Sequence, residues 1–170
     1  ATANAQTAGA PTLDTGDRIK CAGTALFAIN SNMRKVPIFN AESHNTYWAD
    51  FTGTKAVTAE NCGAFPAPES DQPQMLMYRP GSNLVKTPFN AKVYAVGPGQ
   101  TLMGIEDPQA AEALHGSDWA TEIRDISPLI KSTAYTESGM TLDGSMPYNG
   151  QLITTANKSG TFIVWADKVW

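Results

Sequence analysis

Charge is scarce in this chain. Of 170 residues, 12 are Lys or Arg and 16 are Asp or Glu, so 16% are charged, against about 25% in an average soluble domain. The basic residues are scattered and the net charge is −4, so no basic stripe exists to neutralise phosphates, and nucleic acid is excluded as a partner. Long hydrophobic runs are missing too: no stretch approaches the roughly 18 apolar residues that a membrane-spanning helix requires. No charged segment followed by an apolar one opens the chain, and its first residues, Ala1 to Pro11, are small and polar. Together these suggest a protein exported through a signal peptide that has already been cleaved. Histidine is limited to His44 and His115, and cysteine to Cys21 and Cys62. The HExxH, GxSxG, Walker A and GxGxxG patterns are absent. The sequence therefore offers no catalytic residue, no metal site and no cofactor site, and the expectation is a protein that is not an enzyme.

What the chain has instead is repetition. Gly16-Asp17-Arg18-Ile19-Lys20, Leu26-Phe27-Ala28-Ile29 and Val36-Pro37-Ile38-Phe39 are echoed, in order, by Gly81-Ser82-Asn83-Leu84-Val85-Lys86, Val93-Tyr94-Ala95-Val96 and Leu102-Met103-Gly104-Ile105. The offset is about 65 residues, longer than most repeat periods but modular in the same way. Each set reads as a short strand and then a hairpin, with Asn or Gly-Pro-Gly in the turn. After the second hairpin, Asp107 is an N-cap, Pro108 a first helical residue, Ala110 to Leu114 a helix and Gly116 its stop. The counterpart in the first half runs from Asn40 to Gly53, with Tyr47, Trp48 and Phe51 facing the hairpin. Smaller elements open at Thr58 and Ser117.

Between the halves, Gly63 to Pro73 carries three prolines and reads as an extended linker. From Ser132 onward the pattern turns to strands, ending in a hairpin formed by Gln151 to Ala156 and Thr161 to Ala166. The expected fold class is α+β: an arm at 1–15, a hairpin-plus-helix repeat at 16–63, a linker and second repeat at 64–130, and an antiparallel β region at 131–170.

The order of these segments resembles the short hairpin-plus-helix repeat of exported bacterial surface and cell-wall proteins. The resemblance covers residues 16–63 and 79–130. It is clearest at Leu84-Val85-Lys86, Val93-Tyr94-Ala95-Val96 and Asp118-Trp119 in the second half, and at Ile38-Phe39-Asn40 with Tyr47-Trp48-Ala49-Asp50-Phe51 in the first. The turn Gly99-Gln100-Thr101 departs from the basic turn usual in that family. The resemblance implies an extracellular or cell-surface location and no defined chemistry.

The candidate site residues follow. Cys21 and Cys62 are two buried thiols, a metal half-site or a disulfide; the export context, the even count and their places near the two ends of one repeat favour the disulfide. The small residues Ala1, Ala3, Ala5 and Ala8 cannot order themselves. Phe162, Val164, Trp165, Val169 and Trp170 place apolar surface on both faces of a terminal strand. Both sets are assigned to a subunit interface. Asn157, in Asn157-Lys158-Ser159, is a glycosylation acceptor in form and equally a turn residue. Tyr148, in the Gly144 to Gly150 loop, is the candidate exposed ring for stacking on a sugar, while the other aromatics read as core. The neutral surface, the arm and the terminal strand point to a secreted structural subunit that assembles with copies of itself into a filament, sheath or layer. The alternative is a cell-wall or glycan-binding module.

Overall fold

Short apolar segments separated by Gly and Asn turns close most economically into antiparallel meanders, and the chain does this repeatedly. The computed structural model describes residues 12–155, 158–165 and 168–169. They fall into two compact units that divide between Met77 and Tyr78. The described residues are mixed, with four α-helices and three sheets. Among the described residues no helix is long and apolar enough to cross a membrane.

In the first unit, β1 (Arg18–Lys20), β2 (Leu26–Ile29) and β3 (Lys35–Pro37) form the meander. Ile19 stands opposite Phe27, and Ala28 opposite Val36. The β2–β3 turn is organised by Asn30, whose Oδ1 accepts from the backbone N–H of Asn32 and of Arg34, both at 3.0 Å. Helix α1 (Ala41–Asn45) starts in a reciprocal cap: Ser43 N donates to Asn40 Oδ1 at 2.7 Å and Asn40 N donates to Ser43 Oγ at 3.1 Å, satisfying two otherwise orphaned donors. Strand β4 (Lys55–Ala56) then lies parallel to β1, and α2 (Ala59–Gly63) follows, capped by Thr58. The sheet order is β3-β2-β1-β4, and Leu76 bridges Ile38 in parallel. Leu13, Ile19, Ile29, Val57, Cys62 and Phe65 form the core.

In the second unit, β5 (Leu84–Lys86), β6 (Tyr94–Gly97) and β7 (Thr101–Ile105) form a meander, with Leu84 opposite Ala95 and Ala95 opposite Met103. Helix α3 (Pro108–His115) is capped by Asp107, which accepts from Ala110 N at 2.8 Å, and stops at Gly116, where φ is 83°. Strand β8 (Ile123–Asp125) lies parallel to β5, α4 (Pro128–Ala134) follows with Ser127 as its cap, and β9 (Thr136–Leu142) lies parallel to β7. This sheet is ordered β8-β5-β6-β7-β9. Its core joins Leu84, Ala95, Met103 and Ile105 to Ala110 and Ala111 of α3. Last come β10 (Leu152–Thr155), β11 (Lys158–Trp165) and β12 (Lys168–Val169), a separate antiparallel sheet with β11 at its centre.

Several expectations need correcting. Helix α1 stops at Asn45 instead of running to Gly53: its end tightens into i to i+3 bonds, Thr46 N to Ser43 O at 3.2 Å and Tyr47 N to His44 O at 3.0 Å, and Arg18 holds the backbone carbonyls of Asp50 and Thr52 in the turn that follows. Segment 63–73 is not a bare linker: Phe65 is 5% exposed in the first unit's core, and Lys35 N donates to Pro66 O at 3.0 Å. Residues 132–134 are helical, and β9 joins the second unit's sheet on β7 rather than the C-terminal hairpin. That hairpin gains a third strand, β12, which the sequence pattern did not suggest.

Candidate interaction site

Both histidines are engaged in packing, His44 fully buried and His115 half-buried. Arg18 Nη1 lies 3.0 Å from its Nε2, and Asn45 Oδ1 lies 2.9 Å from its Nδ1. A guanidinium only donates, so Nε2 accepts and Nδ1 carries the proton given to Asn45. The ring stacks on Phe51 with centroids 4.1 Å apart, and the Arg18 guanidinium lies 5.2 Å from the Trp48 ring. Arg18 thus clamps the segment after α1 to the first strand.

His115, at the end of α3, meets Glu122 Oε2 at 2.9 Å through Nδ1 and the Tyr148 hydroxyl at 3.1 Å through Nε2. A carboxylate, an imidazole and a hydroxyl in line suggest nucleophile activation. The hydroxyl, however, belongs to a residue only 5% exposed, and burial first, then the Glu122 charge, push the phenol well above its ordinary value. What the arrangement does is tie the loop before β10 to α3. Gln151 Nε2 adds a bond to Leu114 O at 2.5 Å, and its Oε1 accepts from Tyr148 N at 3.1 Å. Tyr148 is therefore no exposed sugar-stacking ring, because its faces are covered.

Trp119, half-buried, helps line an open cleft of about 610 Å³ in the second unit, with Lys92, Glu106, Asp107, Pro108 and Thr141 around it. Val93, Ile105 and Ala111 also line it, so the cleft joins apolar surface to a few charged groups. The sequence signal was available, since Trp119 follows Asp118 just before a strand, but a ring at a regular position reads as core. Near β9, Lys131 bonds to Glu137 and, at 3.1 Å, to Tyr94 Oη. Burial works to lower the ammonium's pKa, but these bonds outweigh it and hold the value above the ordinary one.

Cys21 and Cys62 form a disulfide with Cα atoms 5.8 Å apart, tying the end of β1 to α2. Of the residues assigned to a subunit interface, Val164 is buried at 3% exposure, Phe162 is half-buried, and Trp165 is 53% exposed. Val169 pairs with Val164 across the β11–β12 register. Ala1, Ala3, Ala5, Ala8, Asn157 and Trp170 lie outside the described residues. Among the described residues, no group of three or more His, Cys, Asp or Glu is placed to hold a metal ion. No family model matches the chain, and neither a curated protein nor a solved structure matches it.

Proposed function

We propose that the chain is an exported structural protein of the bacterial surface, built from tandem copies of one unit and assembling with copies of itself into an extracellular filament, sheath or layer. The observation that carries this reading is the agreement of the two units bond by bond. Gly16 N donates to Ile29 O at 2.7 Å, and Gly81 N to Val96 O at 3.0 Å. Ile38 N donates to Leu26 O, and Ile105 N to Val93 O, both at 2.9 Å. Val57 N reaches Lys20 O at 3.0 Å, and Ile126 N reaches Lys86 O at 2.9 Å. Phe39 N meets Leu76 O at 3.1 Å, and Glu106 N meets Leu142 O at 3.0 Å. One meander, helix and parallel-strand design used twice is a modular plan, which suits a subunit that presents the same kind of surface more than once.

The disulfide fits an oxidising, extracellular setting, and the low charge leaves surfaces of neutral hydrogen-bonding groups that pack against their own kind. Light scattering and negative-stain microscopy of the purified chain test the proposal. Regular polymers that are lost on deletion of residues 1–12 are expected, and a strict monomer at all concentrations overturns it. A second reading, the glycan-binding module, is favoured by the Trp119 cleft. It predicts a monomer that sediments with insoluble cell-wall glycan and loses that binding in Trp119→Ala.

A further inference from the structure

The opening of the repeated unit occurs a third time. Gly150 N donates to Val164 O at 2.8 Å, as Gly16 does to Ile29 and Gly81 to Val96. All three glycines hold a positive φ, 88°, 73° and 90° in chain order, where a side chain would be strained. The strand registers then agree, although the second unit has one more residue between its glycine and the strand, Leu84 following Gly81 by three positions where Arg18 and Leu152 follow Gly16 and Gly150 by two. Leu152 stands opposite Ile163, where Arg18 stands opposite Ala28 and Leu84 opposite Ala95. Ile153 faces Phe162 as Ile19 faces Phe27 and Val85 faces Tyr94. Strand β12 pairs Val169 with Val164, where β3 pairs Lys35 with Ile29 and β7 pairs Leu102 with Val96.

We propose that β10, β11 and β12 are the opening half of a third unit, and that their open face and the β10 edge take a helix-then-strand segment continuous with β12. In the first unit that face is met by α1, where His44 sits against Arg18. In the second, α3 covers it, with Ala110 and Ala111 packed in the cluster of Leu84 and Ala95. Ala28 is 8% exposed and Ala95 0%, whereas Ile163, in the same place, is 38% exposed. Trp165, two residues further along the same face, is the half-exposed ring noted above. Strand β4 lies on β1 and β8 on β5, but among the described residues no strand lies on the free side of β10.

The occupant is defined by the two complete units. A short capped helix with a small or hydrogen-bonded residue toward the sheet leads into a strand parallel to β10. The residue after that strand donates its N–H to the Thr154 carbonyl, as Val57 does to Lys20 and Ile126 to Lys86. The segment is continuous with β12 because the helix follows its meander directly in both units: Asn40 caps just after Pro37, and Asp107 just after Ile105. The third unit rests on the tandem-unit part of the proposed function and not on self-assembly.

The test appends a copy of residues 104–135 directly after Trp170, the register set by the equivalence of Val169 with Leu102. Hydrogen exchange is then compared with the parent chain, with light scattering on both. The expected result, whatever the state of assembly, is that the amides of Leu152 to Thr154 gain about tenfold or more in protection. Ile163→Ser should leave the parent's exchange unchanged but remove the gain in the extended chain. The proposal is overturned if the extension brings no protection, if Ile163→Ser leaves the gain intact, or if the parent already protects these amides in a concentration-dependent way, which would make a second copy the occupant.

Discussion

The first and second units solve one packing problem in opposite ways. Arg18 and Leu84 hold the same strand position, opposite Ala28 and Ala95. His44 and Ala111 hold the same helix position, and each backbone N–H reaches the carbonyl of its own cap residue, Asn40 or Asp107. The second unit fills the space between strand and helix with Leu84, Ala95 and Ala111. The first fills it with a guanidinium and an imidazole and adds the Cys21–Cys62 disulfide. The lesson is that the backbone pattern, with its capped helix and parallel closing strand, tolerates either an apolar or a hydrogen-bonded contact. The polar version contributes less by burial, so a covalent tie stands where the second unit has none.

The largest expected effect follows from that tie. The disulfide closes a separation of 41 residues, which corresponds to about 4 kcal/mol in the chain-entropy description. Reduction, or Cys62→Ser with Cys21→Ser, should therefore expose the amides of residues 18–62 to exchange while those of 84–125 keep their protection. Equal loss in both units would mean that the disulfide does not stabilise the first one selectively.

Much of this contrast was readable in the residues. The repeated strand pattern, Asp107 with Pro108 and Gly116, Thr58 as a cap and the cysteine pair are local signals, and each acts within a few positions or through a covalent rule. The path of the chain after α1 was not readable, because Arg18 reaches Asp50 and Thr52 across the fold. Nor was the burial of Tyr148, whose Gly-rich flanks suggest exposure while His115 and Glu122, far along the chain, draw it inward. The pairing of β10 with β11 from Leu152 opposite Ile163 was legible only as a hairpin, because Gly150-Gln151-Leu152-Ile153 matches the earlier openings weakly in residue type.

A middle-sized effect sharpens the comparison by moving one unit's solution into the other. Arg18→Leu alone leaves His44 Nε2 and two backbone carbonyls without their donor, at about 2 kcal/mol. His44→Ala alone removes the stack on Phe51 and opens a cavity, at about 2 to 3 kcal/mol. Arg18→Leu with His44→Ala imports the apolar pairing of Leu84 and Ala111, so the double variant should cost less than the sum by about 1 kcal/mol or more. Denaturant unfolding of the four proteins measures this, and strict additivity would show that the two side chains do not act as a pair.

The smallest effect is electrostatic and belongs to the first unit alone. Asp17 Oδ2 lies 2.6 Å from Lys55 Nζ and accepts from Asp14 N at 2.7 Å. In the second unit the residue before the equivalent strand is the neutral Asn83. Burial works to raise the Asp17 carboxyl, but the hydrogen bonds from Lys55 and Asp14 and the Lys55 charge outweigh it, so its value lies below the ordinary 3.8. A carboxyl lowered on folding stabilises the native state above its unfolded value, and that contribution disappears as the pH falls through the folded value. The pair is partly exposed, which limits its worth to about 0.5 kcal/mol. Between roughly pH 5 and pH 2, the first unit should therefore lose this increment of stability. Asp17→Asn should unfold slightly more readily at neutral pH yet lose less on acidification, with parent and variant converging toward pH 2. If the two keep a constant gap across the whole titration, the Asp17–Lys55 contact acts through geometry and not through charge.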